Sequence, residues 1–185
     1  MAKLNLTHPL GNSAPIILPE LVVEARPYAQ IFEVRGDSSA IALHQPGLLP
    51  DQPNRSRDYP AWRALSLRPG GWLLIDMSEG AAVGHPFASS EEKGLCRLTD
   101  VSYAFACIRL SGPGARNLLA KGTPLDLRTS HFAAGQCART WCAGFTIVLD
   151  CHDAEFNLYV DTSFAVSFWN WISDAADEFK LALDG

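Results

Sequence analysis

Glycine and proline cut this chain into short apolar segments, and the order of the cuts occurs twice. Gly36 finds a counterpart in Gly112 and Gly47 in Gly122. Leu49-Pro50-Asp51 resembles Thr123-Pro124-Leu125-Asp126, and Trp72-Leu73-Leu74-Ile75 resembles Phe145-Thr146-Ile147-Val148. The spacing shrinks slightly from one landmark to the next, as small deletions would produce. Each unit reads strand, Gly, helix, Gly, loop, strand, Gly turn, strand. Two copies are too few to stack as a solenoid, so the pattern reads as an internal duplication, over about residues 29–76 and 104–150. Such units build antiparallel sheets with helices on one face, which makes the expected fold class α+β.

The individual elements follow from local signals. Leu21 to Arg26 and Ala29 to Arg35 read as strands, the second alternating Ile31, Glu33 and Arg35 with Phe32 and Val34. Asp37 or Ser38 suits the cap of a helix ending near His44, before Pro46-Gly47. Asp51 to Tyr59 reads as a polar loop. Trp62 to Leu67 and Trp72 to Asp76 read as a hairpin turning at Arg68-Pro69-Gly70-Gly71. Ser78 to Phe87 is loop, and Ser89 or Ser90 with Glu91 and Glu92 suits a short capped helix. In the second unit, Val101 to Leu110 reads as a strand and Ala115 to Lys121 as a helix, with Pro113 before it and Gly122 closing it. Cys137 to Cys142, Phe145 to Cys151 and Phe156 to Val160 are further strands. Ser163 to Leu181 is an amphipathic helix whose core stripe is Phe164, Phe168, Ile172, Ala175 and Phe179. Residues 1–20 hold Pro9, Pro15 and Pro19, which block helix and central strand, and read as an extended arm that lies against a partner. Residues 21–185 form one domain, a size that buries a core without disulfide or metal.

The formal charge is −5 and no run of Lys or Arg occurs, so nucleic acid and anionic membranes are poor partners. Arg55 to Arg57 is interrupted by Ser56 and reads as a solvated loop. No apolar run approaches the ~18 residues of a membrane span, and Met1 to Leu10 lacks the apolar core of a signal peptide. A cytoplasmic setting is expected, with Cys96, Cys107, Cys137, Cys142 and Cys151 reduced and mostly buried. They are odd in number and contain no C-x-x-C pair.

Motifs that carry chemistry are sparse. Gly112-Pro113-Gly114-Ala115-Arg116 sits between a strand and a helix but matches neither a dinucleotide fingerprint nor a phosphate loop, and reads as a tight turn. His8, His44, His85, His131 and His152 are not spaced as metal ligands. Cys151-His152-Asp153 falls at a hairpin turn, where polar residues belong on other grounds. A Cys–His site would have to assemble through space. Asp100 before Ser102 suits a strand-entry cap, with an acid–base group as the alternative. No catalytic, cofactor-binding or metal residue is assigned.

One further surface is legible. Relative to Phe168, Trp171 lies about 60° round the last helix and Trp169 about 100° to the other side, with Val166 beyond it. Trp169 and Val166 thus form an apolar patch off the core stripe, suited to a partner interface or, for Trp169, to cover by the N-terminal arm or a loop of the same chain.

Residues 100–179 resemble the gamma subunit of heterotetrameric sarcosine oxidase. The likeness runs through Asp100-Val101-Ser102, Ile108-Arg109-Leu110-Ser111-Gly112-Pro113-Gly114-Ala115-Arg116, Leu118-Leu119-Ala120-Lys121-Gly122 and Pro124-Leu125-Asp126-Leu127. It continues in Phe132, Gly135, Cys137-Ala138-Arg139-Thr140, Phe156-Asn157-Leu158-Tyr159-Val160, Ser163-Phe164-Ala165 and Phe168-Trp169-Asn170-Trp171. Upstream, Leu67 to Leu74 resembles a family segment that usually carries Glu where this chain has Gly71. The resemblance implies a cut-down aminomethyltransferase-like fold and a non-catalytic subunit partnered by alpha, beta and delta chains. Those complexes oxidise sarcosine or related N-methyl amino acids and pass the one-carbon unit to tetrahydrofolate. FAD, FMN, NAD and folate are then expected in the other chains and none in this one. Two other readings stand beside it: an autonomous folate or small-molecule binder of the same fold, and a stand-alone hydrolase using Cys or His.

Overall fold

Short alternating segments dominate the chain, and the computed structural model assembles them into one antiparallel sheet. It describes residues 9–11, 13–26, 30–50, 52–78 and 84–183. The strands are β1 (Ile16–Leu18), β2 (Leu21–Arg26), β3 (Ile31–Gly36), β4 (Arg55–Tyr59), β5 (Trp62–Arg68), β6 (Gly71–Asp76), β7 (Cys96–Asp100), β8 (Phe105–Ser111), β9 (Gln136–Cys142), β10 (Phe145–His152) and β11 (Glu155–Asp161). The helices are α1 (Ser38–His44), α2 (Ala88–Glu92), α3 (Ala115–Ala120) and α4 (Ala165–Ala176).

Across the sheet the order is β1-β2-β8-β11-β10-β9-β4-β5-β6-β3-β7. It is a mirrored order. The run β8-β11-β10-β9 meets the run β4-β5-β6-β3, and β2 and β7 flank the two ends. The seam is narrow: β4 and β9 pair only at Arg55 and Gln136, helped by backbone bonds from Ser56 N to Gly135 O (2.9 Å) and Cys137 N to Asn54 O (3.2 Å).

Strand periodicity sorts the side chains into three clusters. On one face of the β4-β5-β6-β3 half, Val34, Trp62, Trp72 and Leu74 pack with Ile41 of α1 and with Phe87. On one face of the β8-β11-β10-β9 half, Ile108, Leu149 and Leu158 pack with Leu118 of α3 and with Phe168 and Ile172 of α4. The opposite faces meet each other, Ile31, Leu65, Leu73 and Ile75 against Cys107, Cys137, Val148 and Tyr159. Helical side chains enter the first two clusters; the third is built from strand residues and the segments beside them.

Several expectations are corrected. The stretch Asp51 to Tyr59 is not all loop: Arg55–Tyr59 is β4, a strand whose polar sequence hid it. Its Ser56 and Asp58 are acceptors for a buried arginine (below), so their polarity is satisfied inside the sheet. Val101 to Leu110 is not one strand. Asp100 accepts hydrogen bonds from Ser102 N (2.9 Å) and Oγ (2.6 Å), turning the chain between β7 and β8. The cap of α2 is Phe87, with no side-chain hydrogen bond, whereas Asp37 caps α1 as the sequence suggests. The last helix is α over 165–176, with 3-10 turns at Thr162–Phe164 and Asp177–Leu183. Asp161 accepts from Ser163 N, which tightens the first turn and lifts Phe164 off the stripe, leaving it 51% exposed. Phe168 and Ile172 of the expected stripe are buried, Ala175 and Phe179 are partly buried, and Ala165 and Ala176 join them in the core.

The N-terminal arm also packs on its own domain: Ile16–Leu18 pairs with β2, and Leu10 is buried in the core of the β8–β11 half. Residues 1–8 and 12 lie outside the described residues. Finally, the match of Trp72–Ile75 to Phe145–Val148 equates β6 with β10. By strand order, β6 stands where β11 does, and β10 where β5 does.

Candidate partner interface

Cys151 and His152, adjacent in the chain, turn to different partners. All five cysteines are free and buried. Burial pushes the Cys107, Cys137 and Cys142 thiols up to about 12 and raises Cys96 and Cys151 as well. Cys151 is not paired with His152; its nearest polar neighbours are the Arg116 guanidinium and Asp153 O, each at 3.8 Å. His152 turns instead toward Asp58, 3.6 Å away. Among the described residues no group of three His, Cys, Asp or Glu could hold a metal ion. The Gly112-Pro113-Gly114 turn is a packing device: Gly112 has φ +96°, and a Cβ there would sit 2.5 Å from Glu20 O. Arg116 donates to Leu127 O and Phe132 O (2.8 Å for the second) and lies 4.9 Å over the Phe156 ring.

A buried ion pair joins the two half-sheets where their inner faces meet. Arg63 of β5 donates through Nε to Asp150 Oδ2 (2.7 Å) and through Nη2 to Asp150 Oδ1 (2.9 Å). Side-chain exposures are 2% and 0%. Nη2 also donates to Ser56 Oγ (2.7 Å) and, more weakly, to Cys151 O (3.2 Å), and Nη1 donates to Asp58 Oδ1 (2.6 Å). Burial works against the charged guanidinium, but the bonds and charges of Asp150 and Asp58 outweigh it, so Arg63 holds its proton more tightly than usual.

At the other end the inner faces diverge and leave a groove in two lobes. One lobe, about 430 Å³, is lined by Glu33, Arg35, Leu67, Arg68 and Leu73 together with Phe105 and Arg139. The other, about 420 Å³, is lined by Trp141, Phe145, Thr146, Asp161 and Phe164, and again by Phe105 and Arg139. Trp141 is 61% exposed on the end of β9. Phe145 lies 5.8 Å from Phe164 and 5.6 Å from Phe168, ring to ring, which joins the groove to the core.

Comparison with known proteins gives the chain a family and its fold a set of neighbours. The profile of the sarcosine oxidase, gamma subunit family matches residues 62–178, well over half of the chain. The chain belongs to the sarcosine oxidase gamma subunit family. Its fold is similar to that of a chain of heterotetrameric sarcosine oxidase from Corynebacterium sp. U-96, solved in complex with pyrrole 2-carboxylate. That match has a TM-score of 0.77 at 19% identity and covers 94% of this chain and 96% of the other. It is also similar to the glycine cleavage system aminomethyltransferase T from Bartonella henselae. Here the TM-score is 0.59 at 16% identity, covering 90% of this chain and 50% of that one. No curated protein sequence matches significantly. Among the described residues no helix is long and apolar enough to cross a membrane.

For a gamma subunit family member, the surfaces of interest are those that could meet another chain. Val166 on α4 is 57% exposed. Trp169 is half-buried against the same cluster as Trp171, so the difference between the two tryptophans is one of degree. Trp171 stacks on Phe168 at 5.8 Å, and a Cβ on Gly122 would lie 2.6 Å from its ring. The groove residues escaped sequence reasoning. The period of two puts Arg139 and Trp141 on one face of β9, but only the assembled sheet shows that this face outruns its partner.

Proposed function

We propose that this chain is the non-catalytic gamma subunit of a heterotetrameric sarcosine oxidase-type complex, packing on larger subunits and stabilising their assembly. Its partners are alpha, beta and delta chains in the cytoplasm. The complex oxidatively demethylates sarcosine or a related N-methyl amino acid and passes the one-carbon unit to tetrahydrofolate. FAD, FMN, NAD and folate sit in the other chains. The observation that carries this reading is family membership over residues 62–178, joined to a fold shared almost end to end with a chain of such a complex. The buried, proton-bound thiols agree with a structural role. Trp169 and Val166 contribute to the partner interface, Val166 through its exposed side chain.

The same reading takes the mirrored strand order as an internal duplication, each copy a strand, a helix and a three-strand meander with its helix on the outer face. Residues 31–76 and 105–161 are then the copies, aligned by strand order rather than by the glycine landmarks.

The test is co-expression of the tagged chain with the candidate large subunits from the same host. The expected result is a stoichiometric complex with a flavin spectrum, and a colourless chain when it is expressed alone. A yellow isolated chain, or tight folate binding without any partner, would favour the autonomous-binder reading.

A further inference from the structure

We infer that the two-lobed groove between the half-sheets is the seat for a partner-chain segment that presents an apolar side chain next to a carboxylate. This rests on the subunit reading above. Three observations carry it. The first is concentration. Trp141 and Phe164 are among the most exposed large hydrophobic residues described, and they wall the same lobe. Exposed Tyr103 belongs to the same corner, its carbonyl accepting from Thr162 Oγ1 at 2.8 Å. A clustered aromatic surface is the mark of an interface, whereas scattered single residues are not.

The second observation is charge. The lobes hold Arg35, Arg68 and Arg139 against Glu33 and Asp161. Glu33 is occupied by both Arg35 (2.9 Å) and Arg68 (3.0 Å). Asp161 is occupied by Ser163 N (2.8 Å) and Oγ (2.5 Å), which hold it below the usual carboxylate range. Arg139, on the wall the lobes share, has no carboxylate partner among the described residues. In a chain of net charge −5, the groove is locally positive and selects an acidic group.

The third is shape. The floor is continuous with the apolar inner layer through Leu67, Leu73, Val148 and Tyr159. An inserted side chain would extend that layer, with its neighbouring carboxylate meeting Arg139 at the rim.

The experiment uses the full chain co-expressed with the large subunits. Trp141→Ala and Arg139→Glu are compared with Leu43→Ala, an exposed residue on α1 well away from the groove. Each groove variant is expected to weaken assembly by about 30-fold, the effect of losing one central contact, while Leu43→Ala assembles as wild type. Melting of the free variants should stay within about 2 °C of wild type, as for surface changes. If a variant fails to fold, a photo-cross-linking side chain at position 141 replaces it. A cross-link to a large subunit supports the seat. Assembly of both variants at wild-type affinity, or cross-links solely to a second copy of this chain, overturns it and leaves the subunit reading intact. Quenching of Trp141 by added folate, with assembly unaffected, overturns it in favour of a small ligand. Failure of the wild-type chain to assemble at all overturns both.

Discussion

Removing Asp150 should expose how much the two half-sheets depend on the fully buried Arg63–Asp150 ion pair. In Asp150→Ala, Arg63 loses both of its short bonds to a carboxylate, at 2.7 and 2.9 Å, while its guanidinium remains 2% exposed. Asp58, Ser56 and Cys151 O remain, but Asp58 is 61% exposed and its field is screened. A buried charge stripped of its partner costs about 3–5 kcal/mol; with Asp58 left, about 3 kcal/mol is expected here. For a domain this size that lowers the melting temperature by about 6–12 °C. Asp58→Ala removes only the exposed partner and should cost about 1 kcal/mol. Arg63→Met combined with Asp150→Leu should return to within about 2 kcal/mol of wild type, because no charge is left to desolvate. Urea unfolding followed by tryptophan fluorescence measures the three variants and the wild type, with stability read from the midpoint at constant slope. Equal, small losses for Asp150→Ala and Asp58→Ala would refute the argument, since they would mean that water reaches the pair.

Three further outcomes follow from the packing. The Cys107, Cys137 and Cys142 thiols are raised from near 9 to about 12. The native state therefore keeps protons that the unfolded chain releases. Stability is full below pH ~9 and declines toward ~12, and a thiol reagent at pH 8 should label none of the three before unfolding; rapid labelling of the native chain would contradict the burial. Gly122→Ala pushes a methyl to 2.6 Å from the Trp171 ring and 2.8 Å from Cys142 Sγ; a loss of about 1–3 kcal/mol in thermal unfolding is expected, and a neutral result would show that the α4 end is loosely packed. Trp171→Ala should cost about 3 kcal/mol. Trp169→Ala should cost about half as much and, by the subunit reading, weaken assembly by about 2 kcal/mol; identical stability losses with intact assembly would remove Trp169 from the interface.

Where local chemistry acts alone, the sequence was legible. Asp37 caps α1, the Arg68 to Gly71 turn closes β5 onto β6, and the hairpin at Cys151-His152-Asp153 closes β10 onto β11. Where a side chain is satisfied across the sheet, it was not. β4 is polar because Ser56 and Asp58 serve Arg63, a residue of the adjacent strand whose main partner is Asp150, far along the chain. Read locally, that polarity signals loop. The Asp100 and Asp161 turns each replace one expected turn of strand or helix by a side-chain acceptor, a competition that periodicity does not register. Phe164 shows the consequence: its spacing from Phe168 fits the stripe, but its backbone is no longer α-helical.

The same geometry explains why the interface candidate lies where it does. A sheet folded on itself spends both of its faces, the outer ones under helices and the inner ones against each other. Little broad apolar surface remains for another chain. The inner contact is held at one end by Arg63 and Asp150, which fix the approach of β5 to β10. Sheet twist then carries the strands apart with distance from that clamp. The groove opens at the far ends of β9 and β10, where Arg139, Trp141 and Thr146 line it. The aromatic groove is thus a by-product of how the halves close. Weakening the Arg63–Asp150 clamp should therefore alter the groove as well as the fold. A partner-affinity loss for Asp150→Asn greater than its stability loss predicts, measured on folded chain, is the signature of that coupling.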